Sequence, residues 1–322
     1  MKFLRANWFI SMLIAAILVI IISELLLNHY RKKNIQKVNT GKIMVPVIDS
    51  VRNPDERAML QYGRDLIANT AKYLGPHGTI SPITNGLNCQ NCHLDAGTRL
   101  YANNFLAVAS TFPKFRARSG KIESIEFRIN ECLERSLNGK KIDSASREMR
   151  SMVAYLTWLG KDLHKSDTSK GAGSVELPFL KRAAEPSKGQ LVFTTRCQSC
   201  HGINGAGVLS ADSVNYLYPP VWGPDSYAES AGMFRISKLA SYVRNNMPPG
   251  ATHLKPQIID EEAWDVAAYI NSQPHPQKMF AYDWPVNSTK PVDYPFGPYS
   301  DGYNEVQHKY GPFQPIKKSK ER

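Results

Sequence analysis

The chain has 322 residues, 42% of them apolar, which is enough for two domains with cores of their own and excludes a disordered protein. Its 40 Lys and Arg against 28 Asp and Glu leave a formal charge of +12. The basic residues are scattered rather than gathered on one recognition element, which excludes nucleic acid as partner. The excess points to an anionic substrate, lipid headgroups or an acidic redox protein, the alternative being a solvated basic surface.

In chain order, Trp8 to Leu27 reads WFISMLIAAILVIIISELLL, an apolar run long enough to cross a bilayer, with Glu24 as its one charge. A cleaved signal peptide would be shorter and end in small residues, whereas here NHYRKKN follows, so residues 1–27 read as an uncleaved membrane anchor and 28–52 as a polar tether. Lys2 and Arg5 on one side are outnumbered by Arg31, Lys32, Lys33 and Lys37 on the other, which taken alone would leave the body in the cytoplasm. The motifs that follow override that reading.

A helix at YGRDLIANTAKYL leads, through a Gly/Pro loop, to CQNCH (Cys89, Cys92, His93). Later KGQLVFTTRCQSCHG carries a second helix into CQSCH (Cys197, Cys200, His201). Each is the C-x-x-C-H signature of covalent haem c attachment: two thiols add across the vinyl groups and the adjacent His reaches the iron. A zinc site would need a further Cys pair, and the chain has only 5 Cys. Covalent attachment of this kind takes place outside the cytoplasm, so the expected location is the inner membrane, with the body on its periplasmic side.

The two signatures sit in an internal repeat. REMRSMVAYLTWLG and DEEAWDVAAYINSQ read as matching closing helices, with Tyr155 and Tyr269 equivalent. In NNMPPG, ahead of Tyr269, Met247 stands where an axial thioether is expected; the same distance counted back from Tyr155 lands within one residue of Cys132. Cys132 therefore reads as a thiolate ligand of the first haem, the alternative being a small buried hydrophobe. Met149 and Met152 read as packing on the closing helix, and His164 and His253 are set aside in polar loops.

A His/Met pair raises a haem's potential and a thiolate lowers it, so electrons entering at the first haem run downhill to the second. A coordinating thiolate is also a sulfur nucleophile, which points to sulfur chemistry. In EFRINECLERSLNG, Arg128, Cys132 and Ser136 follow at four-residue steps and share one helical face; upstream, FPKFRARSG adds Lys114, Arg116 and Arg118. Arg128 and Arg118 are the candidates for holding an oxyanion, with surface charge as the alternative.

The expected architecture is all-α with almost no sheet: two tandem cytochrome c domains behind a transmembrane helix. The domains span 53–160 (catalytic haem) and 187–275 (electron-transfer haem), joined by a linker at 161–186 and followed by an extended Pro/Tyr/Gly-rich tail at 276–322.

NGLNCQNCHLDAG, the CLERSLNG around Cys132, and NNMPPG with DEEAWDVAAYINS together resemble the thiosulfate dehydrogenase family, two-haem cytochromes that form tetrathionate. YPFGPYSDGY and QHKYGPFQPI are similar to its C-terminal tail, and the likeness runs from about Asn53 onward. The resemblance implies that two thiosulfate ions join to give tetrathionate and two electrons, or the reverse. It implies His93 and Cys132 on the iron of the active-site haem c, and His201 and Met247 on that of the exit haem c. Arg118, Arg128 and Ser136 would line the substrate pocket, and an external cytochrome or membrane redox enzyme would be the redox partner. Some members place a competing Lys before the Met; Asn246 stands here, so no such ligand exchange is expected. The anchor departs from the pattern of familiar members. Two rival readings remain: a pure electron carrier, which would use Met or His on both irons, and a sulfur-oxidation cytochrome that loads thiosulfate onto a carrier protein, which would need that protein as co-substrate.

Overall fold

The computed structural model describes residues 23–24, 45–164, 171–211 and 213–321. Among them no helix is long and apolar enough to cross a membrane. The anchor expected at Trp8 to Leu27 lies outside the described residues apart from Ser23 and Glu24, and the tether is described only from Val45.

The first domain opens with α1 (Pro54–Ala68), which begins where the sequence supplies a start signal: the Asn53 side chain accepts from the amides of Asp55 and Glu56, and Pro54 takes the first helical position. Helix α2 (Thr70–Leu74) continues it towards the first C-x-x-C-H. A short antiparallel hairpin, β1 (Lys114–Arg116) with β2 (Lys121–Glu123), precedes α3 (Ile125–Arg135) and α4 (Arg147–Leu159), which are capped by Ser124 and Ser146. The second domain repeats the plan with α5 (Pro186–Arg196), a second small hairpin of β3 (Val208–Leu209) with β4 (Tyr216–Tyr218), α6 (Ile236–Asn246) and α7 (Asp260–Ile270). The described residues are thus helix-rich, with sheet confined to these two hairpins.

Both domains cross their first and last helices at a glycine. A Cβ on Gly63 would lie 2.0 Å from the Ser151 carbonyl oxygen and 2.9 Å from Tyr155 Cβ; on Gly189 it would lie 1.9 Å from the Asp265 oxygen and 2.8 Å from Tyr269 Cβ. Only glycine permits this approach of backbones, and the pairing of Tyr155 with Tyr269 inferred from the repeat is reproduced in space. Leu66, Leu106, Leu133, Met149 and Met152 fill the first core; Phe193, Trp264, Ile258 and Ile270 belong to the second.

The linker and tail are part of the body. Within 161–186, where 165–170 lie outside the described residues, the carbonyl of Gly171 accepts from Tyr101 N (2.7 Å), that of Val175 accepts from the Asn245 side chain (3.0 Å), and Leu177 enters the second core. The tail, expected to be extended, forms two short helices near its end, α8 (Glu305–Tyr310) and α9 (Phe313–Lys320), and Phe313 and Ile316 complete the second core. Earlier in the tail Trp284 N donates to the Arg118 carbonyl at 2.6 Å, and Asp293 receives the Ser237 amide at the start of α6 at 3.2 Å.

Candidate active site

Each C-x-x-C-H opens onto its own cleft. The first, about 1210 Å³ including its mouth, is lined by Cys89, Cys92 and His93 and by Arg128, Cys132 and Ser136 of α3 and its C-cap. The second, about 870 Å³, has Cys197, Cys200 and His201 together with Met247, at the end of α6 where Pro248 prevents the helix from continuing. Leu87, Asn91, Cys92 and Tyr227 line both clefts, so a single layer of side chains separates them. Tyr242 reinforces this wall by donating to the Asn91 carbonyl at 2.7 Å.

The donor sets fit covalently attached haem. His93 Nδ1 donates to the Asn103 carbonyl, and His201 Nδ1 to the Pro219 carbonyl at 2.8 Å. A carbonyl only accepts, so Nδ1 carries the proton and Nε2 keeps its lone pair for a metal. Burial pushes the His93 imidazole down to about 4 and lowers that of His201 as well, keeping both rings neutral at pH 7. Phe105 stacks on His93 with ring centroids 4.3 Å apart and fixes its plane. The free thiols of Cys89, Cys92, Cys197 and Cys200 stand where thioether sulfurs belong once haem is attached. Each cleft also offers a second sulfur, Cys132 in the first and Met247 in the second.

Arg128 turns into the first cleft, and its guanidinium donates to Glu131 at 3.0 Å. The Cys132 sulfur beside it, aided by Glu131, raises its pKa above the ordinary arginine value against the opposing effect of burial, so the cleft carries a permanent cation next to the sulfur. Ser136 adds a hydroxyl one turn further on. Arg118 is not among the lining residues. β1 ends at Arg116, and the turn that follows carries Arg118 towards the tail, where its guanidinium donates to the Ser230 carbonyl at 3.3 Å and lies over Trp284 at 5.7 Å. Burial, then the charges of Arg128 and Arg135, push its pKa down to about 10. Arg116 lines the cleft instead. Met149 and Met152 are fully buried in the core, and His253 stacks on Tyr101 at 3.8 Å.

Sequence reasoning passed over Glu131 and Arg135, although their spacing from Arg128 puts them on nearly the same helical face. Arg135 bonds Asp283 of the tail through both terminal nitrogens, at 2.6 and 2.7 Å, and lies 3.1 Å from Glu131. Nothing in a linear pattern signals Asp283.

Residues 81–164 match the SoxA/TsdA cytochrome c domain family and residues 186–274 the cytochrome c family. The thiosulfate dehydrogenase of Allochromatium vinosum is 38% identical over 200 residues, 60% of this chain and 72% of that protein. That of Psychrobacter arcticus is 35% identical over 259 residues, 79% and 75% of the two chains. Among solved structures, thiosulfate dehydrogenase (TsdBA) from Marichromatium purpuratum superposes with a TM-score of 0.67 at 27% identity, over 73% of this chain and 50% of that one. With two cytochrome domains and relatives of this identity and coverage, the chain belongs to the thiosulfate dehydrogenase family.

Proposed function

We propose that this protein oxidises two thiosulfate ions to tetrathionate in the first cleft and passes the two electrons through the second to an external acceptor. The observation that carries the reading is the placement of Arg128, Cys132 and Ser136, on successive turns of one helix, in the cleft that His93 also lines. His93 and Cys132 would hold the iron of the first haem, His201 and Met247 that of the second. Each haem, when bound, accepts one electron, and the His/Met site has the higher potential.

The chain's own groups supply the rest. Two dianions must meet, and their repulsion opposes the new S–S bond; Arg128 and Arg116, which both line the cleft, offset it in a site partly shielded from water. Ser136 donates to a sulfonate oxygen. Cys132 thiolate and the sulfane sulfur of one thiosulfate form an S–S bond with loss of two electrons. The sulfane sulfur of a second thiosulfate then attacks the bound sulfane sulfur, releasing tetrathionate and restoring the thiolate. Charge balances at each step. Run backwards, the same groups reduce tetrathionate.

The apolar run at Trp8 to Leu27 and the need for haem attachment outside the cytoplasm support a body tethered on the periplasmic face of the inner membrane, facing a cytochrome or membrane redox enzyme as acceptor. The test is thiosulfate-dependent ferricyanide reduction by the purified haem-loaded body, with tetrathionate identified as product, beside tetrathionate reduction by a reduced viologen. Cys132→Gly is expected to keep both haems attached and lose at least about a thousandfold in turnover, in the range seen when a nucleophile is removed. Turnover retained in that variant sinks the role of Cys132. A wild-type protein silent in both assays with both haems intact is an electron carrier instead.

A further inference from the structure

We propose that Asp283, from the C-terminal tail, is a positioning residue for the substrate-binding Arg128, acting through Arg135 and Glu131; this rests on the functional reading above. The four groups form an alternating ladder of charge. Arg128 Nη1 donates to Glu131 Oε2 at 3.0 Å, Arg135 Nη2 lies 3.1 Å from Glu131 Oε1, and Arg135 meets Asp283 in a two-bond fork at 2.6 and 2.7 Å. Glu131 is therefore shared by two guanidiniums.

Hydrogen bonding shows which of them it serves. Arg135, 2% exposed, directs its hydrogen bonds to Asp283 and Tyr282, whereas the hydrogen bond that Glu131 accepts comes from Arg128. A guanidinium withdrawn from water requires a paired counter-charge. With Asp283 in place Arg135 is already neutralised, and Glu131 is free to hold the Arg128 fork towards the cleft. Without Asp283, Glu131 becomes the sole carboxylate on Arg135, and Arg128 loses its fixed orientation. Phe280, 4.1 Å from the Arg135 guanidinium, and the Trp284 amide bonded to Arg118 keep the tail in register at this point. The tail thus reaches the substrate without touching it.

The test is steady-state kinetics of the full-length haem-loaded protein with thiosulfate and ferricyanide, alongside thermal unfolding. Asp283→Asn is expected to raise KM about tenfold and leave kcat within about twofold, a loss of binding in both ground and transition states. In an Arg128→Lys background, which keeps the charge but not the fork, the same change is expected to add nothing. Glu131→Gln cuts the ladder while leaving Arg135 paired with Asp283, and is expected to raise KM by a similar factor; it decides the matter if Asp283→Asn does not fold. An unaltered KM in the variant that folds, or an equal rise in both backgrounds, overturns the proposal while the functional reading stands. A wild type that neither oxidises thiosulfate nor reduces tetrathionate overturns both.

Discussion

Met247 and Cys132 stand at matching points of a repeated plan, yet one offers a thioether and the other a thiol. On the functional reading proposed above, that difference would separate an electron exit from a reaction centre. Replacing Met247 with Leu removes the sulfur from the second cleft without touching Cys197, Cys200 or His201. The second haem is expected to stay attached, to bind carbon monoxide when reduced, and to fall in potential; an unchanged spectrum on adding carbon monoxide would show that Met247 is not the ligand. That Arg128, Cys132 and Ser136 share one cleft was legible in the sequence because a helix converts four-residue steps into proximity. Arg118 follows no helical step: β1 ends at Arg116 and a turn comes next, so linear closeness to the motif says nothing about where the next side chains point. The carbonyl partners of His93 and His201 come from loops, at Asn103 and Pro219, whose course has no periodic signal.

Like α3, α6 depends on a tail residue remote in sequence. Its second position, Ser237, and the preceding Arg235 both bind Asp293 of the tail, Arg235 Nε at 2.9 Å and the Ser237 amide at 3.2 Å. Burial opposes the charge on Asp293, but Arg235 and the Ser237 donors outweigh it and hold the carboxyl below its usual range. Because the folded-state pKa lies below the unfolded value of about 3.9, the stabilisation is complete above that pH and is lost as pH falls through the folded-state value. Asp293→Asn is expected to cost about 3 kcal/mol at pH 7. The gap between the two proteins' urea midpoints should narrow as the pH is lowered below about 4, the range where the wild-type carboxyl takes up its proton; a gap that stays the same would refute the assignment. Periodicity located the closing helices at REMRSMVAYLTWLG and DEEAWDVAAYINSQ, whereas the caps at Asn53, Ser124 and Ser146 set helix starts that it left open, α1 beginning at Pro54 ahead of YGRDLIANTAKYL. α8 and α9 were not, since 6 and 8 residues among prolines and tyrosines are too few to establish a period.

The molecule as a whole is two copies of one helical plan held together by segments that belong to neither. Lys278 donates to the Gly139 carbonyl at 2.5 Å and Asp283 pairs with Arg135 in the first domain, whereas Asp293, Phe313 and Ile316 serve the second. A chain ending at Pro276 would strip Phe280, Tyr282 and Asp283 from Arg135, leaving it Glu131 as its remaining carboxylate. It would also uncover the surfaces against which Phe313 and Ile316 pack, at about 1.5–3 kcal/mol each. Those losses are a large part of the stability of a typical domain, about 5–15 kcal/mol. The truncated protein is therefore expected to melt at least about 10 °C lower, measured by circular dichroism; an unchanged melting temperature would show the tail to be ornamental. The layer formed by Leu87, Asn91, Cys92 and Tyr227 has a bearing on speed. Because the same side chains line both clefts, the gap between the two sites has a width set by packing, and on the reading proposed above an electron would cross it without waiting for any hinge or rotation. Internal exchange would then be a constant of the protein, independent of what arrives at either cleft.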